Sequence, residues 1–560
     1  MTNPVLSILM AVARQSKSDF IRKTRRIQEV QEQFLFTLLQ LHQDTAFGRE
    51  HGLAEIKTID QFRSQIPIQP YSYYAPYTQR MAEGEPNVLT PDPLIYFNLS
   101  SGSTGQPKLI PVTKRSRKAI ARANRTAMGF GVDAASRANR PVGKMLFPLS
   151  VQPLGYTSSG IAYAPVSTSD LKLMDILSRQ VFSYPFEVFQ VSDSAARTYL
   201  CLLFALRNAN LRVISATLPV LALKLCNALE ENAEDLIRDI ETGEIASWLK
   251  LEPKLRAKFE RRWSPAPERA AQLQRVLKTE GRLLPKAAWP SLSFIITARG
   301  GTSDFYFERF PEYFGDTPVF GGTYACAEGV LGVHRDFNTD SVIPAIESGF
   351  FEFIPVDQWD AEHPQTLLPW QVKVGERYRI VFTNYSGFYR YDQGDVVEID
   401  GFFEGAPLMI FRHRRGGVMS ASTEKTTEFH AIQVMQRLQQ TFDIALENFC
   451  ITLSEDKIPP YYLVNIELAP GAELLDPEKF LQHFDATMQE VQAFYEIKRR
   501  DQIPPPRLRI LEPGSFAKLR QRMLQRGVAE DLLKFPHLSE DRTLMAGLAV
   551  AQEVRLAEDR

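Results

Sequence analysis

Apolar positions at helical spacing open the chain. Ile27, Val30, Phe34, Leu38 and Leu41 recur every three or four residues, so 5–46 reads as one or two amphipathic helices. A connection rich in proline and tyrosine follows, from Ile66 to Tyr77, and then a short apolar strand, Leu94-Ile95-Tyr96-Phe97. From 115 to 300 strand-like and helix-like segments alternate. Residues 144–150 read as a strand, 194–206 as a helix, 211–216 as a buried strand, 220–240 as a helix and 292–298 as a strand ending at Arg299-Gly300-Gly301. This alternation predicts an α/β fold with crossover helices. Ligands of such sheets sit at the carboxyl ends of strands. Gly300-Gly301 falls there, as does the loop after Pro318-Val319-Phe320.

The pattern changes again at 350. Short strands at 349–355, 377–383, 395–399 and 408–411, with turn signals between them, predict a small antiparallel or barrel-like subdomain. A flexible, solvated boundary follows at Arg412-His413-Arg414-Arg415-Gly416-Gly417. Beyond it the order is helix 425–440, strands 446–453 and 461–468, helix 476–494, strand 507–512 and helix 514–525. That is a separate α+β domain of usual size, on the order of 150 residues. The expected organisation is a large N-terminal domain (1–411), a hinge (412–422) and a smaller, mobile C-terminal domain (423–560).

Composition narrows the function classes. The 560 residues suffice for two or more domains, and 44% hydrophobic with 23% charged residues is ordinary for a globular protein. A formal net charge of −1 gives no global attraction to nucleic acid or an anionic membrane. The apolar run at 4–13 is too short to span a bilayer and lacks a basic n-region. Four scattered cysteines and eight histidines form no metal-ligand spacing, so reduced thiols in a cytoplasmic protein are expected.

Candidate chemistry begins directly after the 94–97 strand. Ser100-Ser101-Gly102-Ser103-Thr104-Gly105-Gln106-Pro107-Lys108 offers hydroxyls, backbone amides freed by glycine, and one lysine, all groups that hold phosphate oxygens. It is not a Walker A loop, because Lys108 is followed by Leu109 and not by a Ser or Thr. Gly321-Gly322-Thr323-Tyr324-Ala325-Cys326-Ala327-Glu328 places a tyrosine that could stack on a purine before a glutamate that could hold Mg²⁺. Tyr389-Arg390-Tyr391-Asp392-Gln393-Gly394-Asp395 ends on an acid able to accept ribose hydroxyls. Taken singly, Gly321 to Glu328 reads sooner as a strand–turn with one solvated glutamate, the segment ending at Asp395 as a hairpin turn with aromatic packing, and Lys534 as a solvated lysine.

Together, in this order and spacing, the segments resemble the Gretchen Hagen three family of acyl-acid amido synthetases within the adenylate-forming ligase superfamily. The likeness also takes in Thr45 to His51, Ile66 to Tyr71, Gly84-Glu85, Trp289-Pro290, Glu424-Lys425-Thr426, Gly514-Ser515-Phe516 and Lys534. The resemblance implies a large adenylating domain with a mobile α+β lid, and ATP and Mg²⁺ as cofactors. Ser100, Ser101, Gly102, Ser103, Thr104, Gly105 and Lys108 would cradle the triphosphate. Gly300, Gly301, Thr323 and Tyr324 would line the adenine pocket, Glu328 would hold Mg²⁺, and Asp395 would bind the ribose. Arg412 would mark the hinge, and Lys425 and Lys534 would reach the phosphates or the acyl carboxylate. Tyr156, Ser158, Tyr163, Tyr199 and Leu203 are the expected acyl-side residues.

The loop is closer to the general superfamily form than to plant members, and Asp392 stands where plant members carry a basic residue. Both features resemble a bacterial-type member, so no plant hormone is assumed as the acid. The implied reaction adenylates a carboxylic acid, releases pyrophosphate, and passes the acyl group to an amino-acid amine. Two alternatives stay open at this point: thioester formation with coenzyme A on the same scaffold, and a non-catalytic binding protein with a decayed ATP site. Expected partners are a small carboxylic acid and an amino acid, with neither nucleic acid nor membrane, in a monomer or weak oligomer.

Overall fold

The computed structural model describes residues 4–100, 108–164, 180–359, 361–414, 418–421, 424, 426–457, 460–500, 502–525, 533 and 535–557. They form two compact units, and neither is a single stretch of chain. The first comprises Met1–Arg299, Phe310–Gln393 and Val397–Ile410; the second comprises Gly300–Arg309, Gly394–Val396 and Phe411–Arg560.

The first unit opens with helices Pro4–Thr24 and Ile27–His42. The second of these buries Ile27, Gln31, Phe34, Leu35, Leu38, Leu39 and His42, one continuous stripe at helical period. Helix Lys114–Arg137 starts on a Thr113–Ser116 capping box and packs along Pro4–Thr24. Four strands, Met145–Leu146, Val213–Ser215, Phe294–Ile296 and Val319–Phe320, form an all-parallel sheet, as the alternating pattern predicts. They are shorter than that pattern implies. In the first, Pro148 removes a ladder donor two residues past Leu146. The expected 220–240 helix is two, Pro219–Glu231 and Ala233–Thr242, broken at Asn232, whose side chain donates back to the Ala228 carbonyl.

A second sheet orders Lys108–Thr113, Leu94–Ser100, Ala162–Ala164 and Gly155–Tyr156. The third has seven strands, in the order Gly349–Pro355, Arg377–Asn384, Tyr391–Phe403, Ala406–Arg414, Ser341–Pro344, Gly329–His334 and Thr323–Cys326. It is larger than the subdomain expected at 350–411, because three strands before 350 join it. Phe351, Phe353, Ile380, Phe382, Val397, Ile399 and Met409 form its core.

The second unit carries a four-stranded sheet, ordered Leu446–Leu453, Tyr462–Leu468, Arg507–Leu511 and Val550–Arg555. Helices Glu428–Phe442 and Pro477–Val491 pack together, burying Val434, Met435 and Leu438 from one and Phe480, Phe484 and Met488 from the other. The last strand has no signal in the sequence. It is an edge strand with only Val554 buried, so its hydrophobic period is absent. No helix among the described residues is long and apolar enough to cross a membrane.

Candidate functional site

The Ser/Gly/Thr loop is delivered by two antiparallel strands, Leu94–Ser100 and Lys108–Thr113, with Ser100 and Lys108 as register partners. Ser101, Gly102, Ser103, Thr104 and Gly105 lie outside the described residues. Lys108 places its Nζ 5.4 Å from the centre of the Tyr71 ring, a cation–π distance. Tyr71 is itself fixed: its hydroxyl donates to the Leu109 carbonyl at 3.1 Å and accepts from the Leu109 amide at 2.9 Å. Burial raises the Tyr71 phenol above its ordinary value, and the nearby Glu328 charge adds to the shift.

Glu328 sits in the turn between strands Thr323–Cys326 and Gly329–His334. It is buried, 7% exposed, and its Oε1 accepts a hydrogen bond from the Tyr391 hydroxyl at 2.7 Å. No described residue forms an ion pair with it. Two asparagines hold the turn: Asn98 Nδ2 donates to the Ala327 carbonyl and Asn384 Nδ2 to the Glu328 carbonyl, each at 2.9 Å. Sequence reading missed both asparagines and Tyr71. Asn98 stands two residues before the loop, and that proximity is the only signal in the sequence.

A carboxylate taken out of water without a basic partner fits a divalent-cation ligand. Among the described residues there is no group of three or more His, Cys, Asp or Glu that could cage a metal. That also fits Mg²⁺, which is held by one or two carboxylates together with substrate phosphates and water. Upstream of Glu328, Gly321 has no room for a Cβ, because the His334 imidazole lies about where one would stand, 2.3 Å from it. Thr323 Oγ1 reaches Asn124 Oδ1 at 3.4 Å, and Tyr324 packs against the core of the seven-stranded sheet.

Gly300, Gly301, Asp395 and Arg412 belong to the second unit. Gly301 has φ +61° and a Cβ there would come within 2.7 Å of the Phe411 ring, so only glycine fits. The segment these glycines open is anchored: Phe305 packs on Phe449 and His537, and Arg309 pairs with Glu447 at 2.7 Å. Asp395 is 1% exposed and accepts from Arg414 Nε at 2.6 Å. Arg412 lies over the Phe429 ring at 5.4 Å.

Lys425 and Lys534 lie outside the described residues. The neighbours of Lys425 are tied down, since the Tyr462 hydroxyl bonds to both Glu424 Oε1 and Thr426 Oγ1 at 2.7 Å. After 534, the His537 amide donates to Glu428 Oε1 at 2.6 Å, and the buried imidazole stacks on Phe449 at 4.4 Å. Burial lowers that imidazole to about 4. The Gly514-Ser515-Phe516 segment is a helix start capped by Glu467, which accepts from the Gly514 and Phe516 amides at 2.6 and 2.7 Å.

One expectation needs correction. The five acyl-side residues do not gather on one wall. Tyr156 and Ser158 are exposed on a hairpin, whereas Leu203 is fully buried and the Tyr199 hydroxyl donates to the buried Asp239 at 2.8 Å. Tyr199 and Leu203 are therefore core side chains of helix Ser194–Leu206. Tyr163, half-buried, lies on a strand running parallel to Leu94–Ser100, with Phe97 as its register partner. In the 389–395 segment, Arg390 is a structural residue: its guanidinium pairs with buried Glu352 at 3.0 Å and donates to the Arg63 and Ile66 carbonyls. Asp392, the position of altered charge, pairs with Arg379 at 3.0 Å.

Comparison with known proteins finds likeness along most of the chain. Residues 16–319 match the profile of the GH3 family N-terminal domain, 342–414 that of the GH3 family central domain, and 429–543 that of the GH3 family C-terminal domain. An Arabidopsis thaliana protein named indole-3-acetic acid-amido synthetase GH3.10 is 26% identical, over 92% of this chain and 93% of its own length. A Nicotiana attenuata protein named jasmonoyl–L-amino acid synthetase JAR4 is 27% identical, over 92% of this chain and 91% of its own. Among solved structures, AtGH3.15 acyl acid amido synthetase in complex with 2,4-DB superposes with a TM-score of 0.85, at 23% identity over 97% of both chains. A 2-hydroxyisobutyryl-CoA ligase in its postadenylation state gives 0.56, at 14% identity over 92% of this chain and 90% of that one. These two likenesses are of fold.

Proposed function

The chain belongs to the GH3 family, and from that premise we propose that it is an acyl-acid amido synthetase, a ligase that forms an amide bond through an acyl-adenylate. The Glu328 site supports it: a buried carboxylate pairs with no described cation, and its charge acts on Tyr71, whose ring lies against Lys108 at the end of the strands that deliver the phosphate loop.

A carboxylate is a poor electrophile, so it must be activated. Its oxygen attacks the α-phosphorus of ATP, the bond to the bridging oxygen of the β-phosphate breaks, and pyrophosphate leaves with its electron pair. The amine of an amino acid then attacks the acyl carbon and AMP departs. The first step brings two anions together, and positive charge must offset their repulsion. In this reading Ser100 to Gly105 and Lys108 hold the triphosphate. Glu328 holds Mg²⁺, which when bound neutralises phosphate charge in the first step. Gly300, Gly301, Thr323 and Tyr324 line the adenine, and Asp395 accepts the ribose hydroxyls. Residues 412–422 act as the hinge of a C-terminal lid, 423–560, that brings Lys425 and Lys534 to the phosphates or the acyl carboxylate. Tyr163, with Tyr156 and Ser158 on the adjoining hairpin, contacts the acyl group, and the enzyme works in the cytoplasm.

The reaction needs no protein nucleophile. Cys201 and Cys450 are buried with their thiols pushed well up by burial, which suits packing and not attack. The test is acid-dependent pyrophosphate release from ATP and Mg²⁺ across a panel of carboxylic acids, with amino acids or coenzyme A as second substrate. Release stimulated by an amino acid is expected. Stimulation by coenzyme A alone would select thioester formation, and no release from any acid would overturn the enzyme reading.

A further inference from the structure

Tyr391 is buried, 1% exposed, within the aromatic cluster that includes Phe388, Tyr74 and Tyr389. Its ring centre lies 5.2 Å from that of Phe388 and 6.1 Å from that of Tyr74, so the phenol has a fixed direction. That direction is onto Glu328 Oε1. The Glu328 backbone is fixed separately, by the two asparagine amides on the carbonyls of Ala327 and Glu328. Three donors from three strands thus converge on one two-residue turn: Asn98 on Leu94–Ser100, Asn384 on Arg377–Asn384 and Tyr391 on Tyr391–Phe403.

The cost of this arrangement is visible. Asn98 is 1% exposed, and its Oδ1 finds no hydrogen-bond partner among the described residues. An unsatisfied buried acceptor lowers stability, and an apolar residue of similar size would avoid it. Such a group is retained where its other end is needed. Here the other end holds the turn that bears Glu328. Tyr391 likewise meets a buried carboxylate with a neutral donor. An arginine or lysine at that place would fix the carboxylate equally well, and would also compete with a cation for it.

We propose that Tyr391 is the positioning residue for Glu328. Its hydroxyl takes one carboxylate oxygen, so that the other is presented to the metal of the metal–ATP complex, while Asn98 and Asn384 set the height of the turn. Partners in this second layer around a metal ligand typically govern a ten- to hundredfold range of metal affinity. The proposal rests on the reading of Glu328 as the metal ligand, and the experiment separates the two.

Mn²⁺ binding to the full-length protein with α,β-methylene ATP is measured by electron paramagnetic resonance for wild type, Tyr391→Phe and Glu328→Gln. The proposal expects Mn²⁺ affinity to fall about tenfold in Tyr391→Phe. Nucleotide affinity at saturating metal should stay as in wild type, which a merely structural tyrosine would not allow. In Glu328→Gln the affinity should fall further, and Tyr391→Phe should add nothing in that background. Unchanged affinity in Tyr391→Phe, where Glu328→Gln has lost it, overturns the positioning role and leaves the proposed function standing. Unchanged affinity in Glu328→Gln overturns the metal assignment and the positioning role with it. Should Tyr391→Phe not fold, Asn384→Asp is read in the same way. It keeps an acceptor for the Ser386 amide, now at 2.9 Å from Asn384 Oδ1, and turns an acceptor toward the Glu328 carbonyl. A folded Asn384→Asp with wild-type affinity overturns the proposal.

Discussion

Two buried acids, Glu328 and Asp395, are both expected at the nucleotide, and their surroundings differ in kind. Glu328 in the first unit meets a neutral phenol and pairs with no described cation. Asp395 in the second unit is met by a guanidinium, Arg414, at 2.6 Å. A carboxylate meant for a divalent cation is weakened by a resident basic partner. A carboxylate meant for neutral hydroxyls is helped by one, because the partner orients it. The two environments support the proposed metal role of the first acid and the proposed ribose role of the second. A third acid, Glu352, completes the contrast. It is fully buried between Arg63 and Arg390, its charge is consumed within the fold, and no ligand role follows.

Each assignment can be broken separately. Glu328→Ala should have the largest effect, lowering the rate of pyrophosphate release by about a thousandfold through loss of charge stabilisation in the adenylation step. A rate within a few-fold of wild type would remove the metal role. Glu352→Gln should instead cost stability, about 3 kcal/mol, since it leaves two arginines without their shared partner. Denaturant unfolding should report that loss while the folded fraction keeps its turnover. A lowered turnover at unchanged stability would make Glu352 a site residue. Asp395→Asn should raise KM for ATP about tenfold, the scale of one charge-assisted hydrogen bond, and should narrow the preference for ATP over 2′-deoxy-ATP. An unchanged preference would take the ribose away from Asp395.

The smallest effect at neutral pH concerns His537 in the second unit. Its imidazole titrates at about 4 when folded, against an ordinary value near 6.5. Below 6.5 the unfolded chain binds a proton that the folded one refuses. Stability from this group is therefore complete above pH 6.5 and declines as pH falls toward 4. Replacing His537 by Phe should flatten the loss of melting temperature between pH 6.5 and 4 and leave the value at pH 8 within a few degrees. His42 in the first unit titrates at about 4 for the same reason and should be unaffected by that change.

Much of this was legible in the sequence, for reasons that differ by element. Helix Ser194–Leu206 falls where its pattern places it, because an aspartate N-cap and an unbroken apolar run leave no alternative. Glu328, Asp395 and Lys108 stand out because chemistry-bearing residues sit beside glycines at strand ends. What holds them does not stand out. Asn98, Asn384 and Tyr71 come from strands and helices that only the tertiary fold brings to the 327–328 turn. The same limit explains Tyr199, which sequence offers as a pocket residue and the fold spends on Asp239. It also explains Gly300–Arg309, a short piece that joins a unit composed mostly of residues more than a hundred positions away.

The proposed reaction turns on an amine consuming the acyl-adenylate. The most direct measurement is the mass of the product formed when the protein is given its responsive acid, ATP, Mg²⁺, a mixture of amino acids and coenzyme A together. A conjugate of mass equal to acid plus one amino acid less one water is expected, in step with AMP. A coenzyme A thioester as the sole acylated product would contradict it.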